Sequence, residues 1–341
     1  MLLSGTMKPR LFCAAGLLTS SALLAACSAP GSMPAVSSMP ASPARAARAA
    51  QDDPDAVKYT FATLDDPNDS RFNRLLGLND LGKIVGYFGS GKTSDPDQGL
   101  EVQSPYKPAN FQTVDFPDAA QTQVTTMTNG ASFGGFYTDY KHDVYGFMEW
   151  KNLWFAYSAP LARRGDPVTE IVSMNESSQA VGFWLNSSGH DVPFLLDLET
   201  GIFQKVNTPD GTQSAVATGI NARGDICGYY KSASGVTQGF LRAVGKTAVQ
   251  FSYPGATSTK PLGLSPFDHV VGSYVDASGD THGFLVRSPG TQRAVWQTID
   301  DPQSSKATVV TGINLHGSIA GYYIDRSGRN HGFLGTEKAS H

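Results

Sequence analysis

The stretch that decides the fold is Gly312–Leu334, GINLHGSIAGYYIDRSGRNHGFL. Looser copies of its first half begin at Leu78 (LNDLGKIVGYF), Met127 (MTNGASFGGFY), Met174 (MNESSQAVGFW), Ile220 (INARGDICGYY) and Leu264 (LSPFDHVVGSY). One glycine marks the register in all six copies, at Gly86, Gly135, Gly182, Gly228, Gly272 and Gly321, in steps of 49, 47, 46, 44 and 49 residues. A period near 40–50 residues is that of a four-stranded propeller blade.

Each copy reads as short strands separated by turn chemistry. Asn314-Leu315-His316-Gly317 has Asn and Gly where a β-turn favours them, and Asn79–Gly82 and Asn221–Gly224 repeat the pattern. In the fifth copy the slot holds Ser265-Pro266-Phe267-Asp268, with Pro at its favoured second position. A second turn, Asp325–Gly328, is matched by Asp276–Gly279 and Asn186–Gly189. The third strand is His331-Gly332-Phe333-Leu334. A fourth alternates apolar and polar residues in Phe111–Asp115, Phe203–Asn207 and Trp296–Asp300. The long crossing from Asp300 to Thr311 then leads to the next unit.

The expected architecture is an all-β, six-bladed β-propeller built from six repeats of about 47 residues. The last repeat lacks a fourth strand. Tyr59–Asp65 (YTFATLD) is an orphan of that type and would close the ring from the N-terminal side. The competing architectures are an open solenoid or a sandwich array, which leave the orphan strand unexplained.

The run GINxxGxIxGYYxDxSGxxHGF followed by FxTID resembles the HAF-repeat, or probable extracellular repeat, proteins over residues 59–335. Copy three departs from it with Pro193 in place of the HGF glycine, and copy one with Gln98-Gly99-Leu100. The resemblance implies an exported repeat protein and implies no reaction.

Residues 1–26 read as a targeting segment: Lys8 and Arg10, then an apolar stretch ending in Leu24-Ala25-Ala26-Cys27. That ending looks like a bacterial lipobox, which makes Cys27 the lipid-bearing residue; an ordinary cleaved signal peptide is the alternative. Ser28 after the cysteine implies, by resemblance to Gram-negative lipoprotein sorting, the outer membrane. The organisation is then a signal peptide (1–26), a lipidated Ala/Ser/Pro-rich disordered tether (27–57), the propeller (58–336) and a tail (337–341). Cys227 is left alone, a small buried thiol by its place in the repeat. Removing residues 1–26 deletes two bases and no acid, so the net charge moves from −4 to −6. Nothing in that balance draws nucleic acid. The expected state is a monomer held to the membrane by its lipid.

No HExxH occurs, and the glycines follow the spacing of the repeat. His282 and His331 share a repeat position that elsewhere holds Gln98, Tyr145 and Gln238, which points to a structural slot. Asp115, Asp139, Asp276, Asp300 and Asp325 fall on crossings or second-to-third-strand turns, which share one face of a propeller. Carboxylates converging on a funnel there would bind Ca²⁺ or a cationic group. The plainer reading is that Asp starts turns by capping its own backbone. Repeated aromatics such as Tyr229 and Tyr322 read as packing, whereas Trp150 and Trp154 interrupt the repeat and are candidates for an exposed contact. Arg163–Asp166 and Lys92–Gln98 are the other departures from symmetry. These features favour a binding or scaffolding module for a glycan or envelope protein. The alternatives are a hydrolase or lyase acting on a polysaccharide or lactone with loop carboxylates, and a purely structural envelope protein.

Overall fold

The computed structural model describes residues 56–69 and 71–338 of the 341-residue chain. Cys27, the signal segment and nearly all of the tether lie outside the described residues. Among those described there are 24 strands, one 3-10 turn at Pro108–Asn110, and no helix long and apolar enough to cross a membrane.

After β1 (Tyr59–Thr63), the strands fall into antiparallel groups in chain order. The first is β2 (Asn73–Leu78), β3 (Lys83–Phe88), β4 (Gln98–Gln103) and β5 (Phe111–Thr113). The second is β6 (Gln121–Met127), β7 (Phe133–Thr138), β8 (Val144–Trp150) and β9 (Leu153–Tyr157). The third is β10 (Thr169–Met174), β11 (Gln179–Leu185), β12 (Asp191–Asp197) and β13 (Ile202–Lys205). The fourth is β14 (Ser214–Ile220), β15 (Ile226–Lys231), β16 (Thr237–Arg242) and β17 (Val249–Phe251). The fifth is β18 (Ser258–Leu264), β19 (Val270–Val275), β20 (Thr281–Arg287) and β21 (Val295–Ile299). The sixth has β22 (Ala307–Ile313), β23 (Ile319–Ile324) and β24 (Asn330–Glu337), with β1 antiparallel to β24 in the register Tyr59↔Glu337 to Thr63↔Phe333. Single parallel pairings, Thr237↔Ser258 and Thr281↔Ala307, join the last three groups into one mixed sheet.

The sixth group therefore reaches into both flanking stretches. Glu337, read from sequence as the start of a tail, is the last residue of β24. Val57, read as tether, has its N–H and C=O bonded to the Gln297 side chain, at 3.0 and 2.6 Å.

The repeat glycine has a steric cause. A Cβ at Gly228 would lie 2.1 Å from the Val216 carbonyl oxygen and 2.9 Å from the Phe240 ring. Phe240 is the cross-strand partner of Gly228 and is fully buried. The same arrangement recurs at Gly182 with Phe194, Gly272 with Phe284 and Gly321 with Phe333. Thus the GYY glycine lets the second strand slide under an inner-strand carbonyl, and the HGF phenylalanine fills the space the missing side chain leaves. Copy three keeps this pair despite Pro193, which bonds through its carbonyl to Val206 N–H at 3.0 Å.

Cores form on the faces of the groups, and several mix residues of two of them; Cys227, a free buried thiol, packs with Leu264, Tyr274 and Phe284 of the fifth. Gly228→Ala should cost about 3 kcal/mol or more, because neither a backbone carbonyl nor a fixed ring can retreat. Gly189→Asn, in an open turn at φ 76°, should stay within about 0.5 kcal/mol. Urea unfolding of both variants checks the contrast.

Candidate functional site

Strands and turns of all six groups line one cavity of about 250 Å³. Each inner strand reaches it with a β-bulge in its pairing to the second strand, and the extra residues are Leu76, Thr125, Val172, Thr218, Leu262 and Thr311. They alternate between apolar and threonine. Each threonine hydroxyl donates to a carbonyl of the following group: Thr125 to Ile171 at 2.8 Å, Thr218 to Pro261 at 2.9 Å, and Thr311 to Leu75 at 2.8 Å. Leu76, Val172 and Leu262 stay partly exposed to the cavity.

The next position supplies the fit between groups. Gly77 and Gly263 sit so close to the following bulge that a Cβ would lie about 3 Å from the Thr125 or Thr311 carbonyl oxygen. Where the residue is Thr126 or Ser173, its hydroxyl instead accepts from the following inner strand, from Met174 N–H at 3.0 Å and Ile220 N–H at 3.3 Å.

The first-to-second-strand turns form the mouth. Asn314 accepts two N–H groups of its own turn through Oδ1 and donates through Nδ2 to the Asn79 carbonyl at 3.1 Å. Asn79 does the same toward Thr128, and Asn175 toward Asn221. A bridge follows the rim: Leu315 N–H to Asp80, Asp80 to Asn129 through two bonds, and Asn129 N–H to Glu176 at 2.6 Å. The lining is aliphatic (Leu78, Met127, Met174, Ile220, Leu264, Ile313) and contains no aromatic ring.

None of the five aspartates singled out from sequence lines this cavity. They lie at the opposite ends of the strands, on the crossing side. Asp276 accepts Ser278 and Asp280 N–H groups, which hold its carboxyl below the usual range, Asp280 first. Asp300 takes the His282 ring nitrogen at 2.9 Å, and Asp276 approaches the other nitrogen at 3.6 Å, so one imidazole brings these two together. Burial acts to lower the His282 pKa, but the Asp300 and Asp276 carboxylates outweigh it and the net direction is up. In the sixth group His331 bonds Asp65 at 2.6 Å and reaches Asp325 at 3.4 Å. The Ser327 hydroxyl and Arg329 N–H keep the Asp325 carboxyl far below its ordinary value. Asp139 caps its own turn through Lys141 and Asp143 N–H. Asp115 takes Gly99 N–H at 2.9 Å, and burial raises its pKa. Both histidines stack on tyrosines, Tyr274 and Tyr323, at 5.1 and 5.0 Å. Among the described residues no group of three or more His, Cys, Asp or Glu is arranged to hold a metal ion.

Of the two tryptophans, Trp150 is 45% exposed, whereas Trp154 is half-buried against Phe116, Phe133 and Phe147. Arg163 pairs with Asp166, and Lys92 and Asp95 are joined through backbone by an isolated antiparallel bridge.

Sequence reasoning missed three charges set two residues before the bulge, the buried Glu170 and the half-buried Arg74 and Lys260; the other groups hold Gln123, Val216 and Val309 there. The signal was a charge inside an otherwise apolar strand. Arg74 donates to the Tyr87 hydroxyl at 3.0 Å and lies over the Phe72 and Tyr322 rings at 4.6 and 4.7 Å. Gln123 donates to Asp97 at 2.5 Å, and burial pushes the Asp97 carboxyl up to about 7. Lys260 sits over the Tyr229 ring at 5.3 Å, its pKa lowered by burial. Glu170 is 4% exposed with a partnerless Oε2; burial first, then Asp191, pushes its pKa up to about 8.

No family model and no curated protein matches the chain. Among solved structures, AofleA from Arthrobotrys oligospora is similar at 12% identity, covering 85% of this chain and 91% of that one, with a TM-score of 0.50. A fungal lectin, Aleuria aurantia lectin, described as a six-bladed β-propeller with a novel fucose recognition mode, is matched at 7% identity over 79% of this chain and 95% of its own (TM-score 0.46). TolB from Acinetobacter baumannii is matched at 12% identity over 76% of this chain (TM-score 0.47), and this chain spans 65% of TolB. The likeness to AofleA extends to architecture alone.

Glu170 sets a pH dependence. Its ordinary value is 4.5 and its folded value about 8, so between these the folded chain holds a proton the unfolded chain has released. Stability therefore falls as pH rises through that window, and the term vanishes below it. Glu170→Gln should match the parent in melting temperature near pH 4 and exceed it by several degrees near pH 8.5. Thermal melts across the window check the slope.

Proposed function

We propose that the six four-stranded units close as a six-bladed β-propeller and that the chain is an exported HAF-repeat lipoprotein, anchored through Cys27 at the outer membrane. There it acts as a binding module for an envelope protein. The β1–β24 pairing, the parallel bridge Phe72↔Asn330 and the Thr311–Leu75 and Asn314–Asn79 bonds all tie the sixth group to the first, which supports closure.

The observation that carries the binding reading is the single cavity to which every group contributes. Its walls are aliphatic, and its Thr and Asn side chains are already bonded to neighbouring backbone. That leaves few polar groups to read sugar hydroxyls and no ring to stack under a sugar. An apolar side chain or segment of a protein suits it better. The hydrolase reading draws on carboxylates that instead cap turns or hold imidazoles.

Two experiments test this. A chain starting at Asp66, without β1, should melt roughly 10 °C below one starting at Ala56, since Phe333 and Ile319 lose the cover of Tyr59 and Phe61 and β24 becomes an open edge; equal melting would refute closure by β1. A photoreactive residue at Ala222, on the mouth, should crosslink a discrete envelope protein in cells. Leu262→Trp, which fills the cavity, should abolish the product without loss of fold. Glycan-array binding unaffected by Leu262→Trp would sink the reading.

A further inference from the structure

In an antiparallel four-stranded unit, the first-to-second and third-to-fourth turns lie at one end, and the second-to-third turns and crossings at the other. Large exposed apolar side chains gather at the first end, around the cavity mouth. Leu81 (76% exposed), Phe267 (62%) and Leu315 (43%) lie on first-to-second turns of the first, fifth and sixth groups. Trp150, Ile202 and Val244 lie on third-to-fourth turns of the second, third and fourth. Lys151 stands 4.5 Å over the Trp150 ring. The opposite end carries the aspartate turns already described and fewer exposed apolar side chains, Tyr140, Leu161 and Val236.

The chain enters at the same end. Tyr59, the first residue of β1, pairs with Glu337, and its hydroxyl donates to the Gly317 carbonyl at 3.3 Å, in the turn that also carries Leu315. The backbone bond from Lys338 N–H to Lys58 O, 2.7 Å, continues the pairing outward. The first described residues therefore lie on the mouth side, beside the groups that bear Phe267, Leu315 and Leu81.

We propose that the mouth face lies against the bilayer, with Leu81, Phe267, Leu315 and Trp150 seated in the lipid interface and the aspartate face turned away. This rests on the Cys27 anchor proposed above and adds that the cavity is filled from the membrane side. The chemistry fits: an aromatic ring with a basic neighbour is suited to the headgroup boundary, and apolar contacts there add to a lipid anchor. Apolar side chains with no cover among the described residues gain a partner, the crossing-side aspartates stay in water, and the rim carboxylates of Asp80 and Glu176 keep their bonds to neighbouring N–H groups.

The test uses the mature full chain on vesicles of phosphatidylethanolamine and phosphatidylglycerol doped with a dibrominated phosphatidylcholine. Native Trp150 emission should be quenched and the quenching lost in Trp150→Phe. In a Trp150→Phe, Tyr140→Trp chain, which moves the reporter to an exposed second-to-third turn, emission should be untouched. Quenching at 140, or none at 150, overturns the orientation. The anchor is scored separately, by the mass of the N-terminal fragment. A Cys27→Ser chain at high lipid should still show Trp150-dependent quenching, with vesicle partitioning weakened about tenfold by Leu81→Asp, Phe267→Asp and Leu315→Asp together. Quenching in that chain with no acyl mass on the natural one would refute the anchor and leave the face; acylation without Trp150 quenching would do the reverse.

Discussion

The contact on which the rest depends is the passage of a second-strand glycine beneath an inner-strand carbonyl, closed from the other side by a buried phenylalanine. It fixes the distance between the two strands to within a fraction of an ångström, since at Gly321 a Cβ would sit 2.1 Å from the Val309 oxygen. The inner strand then bulges one residue further on, between Val310 and Gly312, and the bulged Thr311 is free to aim its hydroxyl at the next group. Geometry inside one group thus determines how it grips its neighbour. A repeat that loses the glycine loses both.

That contact also explains what could be read without coordinates. Turns are legible because Asn, Asp, Pro and Gly act locally: Asn314 caps its own turn whatever surrounds it. The orphan strand at Tyr59 is legible because it matches the outer strands in pattern and the sixth copy lacks one. The bulge is not, because a one-residue shift leaves no turn residue behind. Nor is the second role of the asparagines, since the same side chain that satisfies its turn also spends its amide nitrogen on the following group. Trp154 misled for a related reason. It breaks the repeat in sequence, yet it fills the same hydrophobic slot as Phe203 and Trp296 in other outer strands. The aspartates were placed on the right turns, but a turn position does not reveal whether a carboxylate is free, and here backbone amides and two imidazoles occupy the five. The cavity lies at the other end because the bulges, which no pattern announced, open the axis there.

The two ends of the strands differ for reasons that begin with connection length. Crossings and second-to-third turns must reverse or carry the chain over exposed backbone, and Asp does this by accepting two N–H groups at once, as Asp276 and Asp325 do. The first-to-second turns open on Asn, Ser or Thr, with Gly, Asp, Ala or Ser at the fourth position. Their middle residues make no cap and are free to be Leu81, Phe267 or Leu315. Selection on turn chemistry alone yields an acidic end and leaves the other end open to apolar side chains; it does not require them. Their presence there, next to the point where the chain enters, is what calls for a partner.

The inner strands carry a finer pattern than the six copies suggest. Groups two, four and six place Thr at the bulge, and groups one, three and five place Leu76, Val172 and Leu262. The charges two residues earlier follow the same alternation, with Arg74, Glu170 and Lys260 in the odd groups and Gln123, Val216 and Val309 in the even. Each threonine donates forward, so the bonds clamp group two to three, four to five and six to one. The molecule is then better regarded as three clamped pairs than as six equal units, and the pair that joins sixth to first is held by the same bond as the others. A buried charge is costly where nothing pairs it, and Glu170 with its open Oε2 is the clearest such cost. It sits in one of the three groups whose bulge holds no threonine, two residues before the cavity-lining Val172. Fold maintenance alone gives no reason to retain a carboxyl where valine serves in groups four and six. The departure from repeat symmetry therefore points to the axis, and not the aspartate turns, as the place where this chain was shaped for something other than folding.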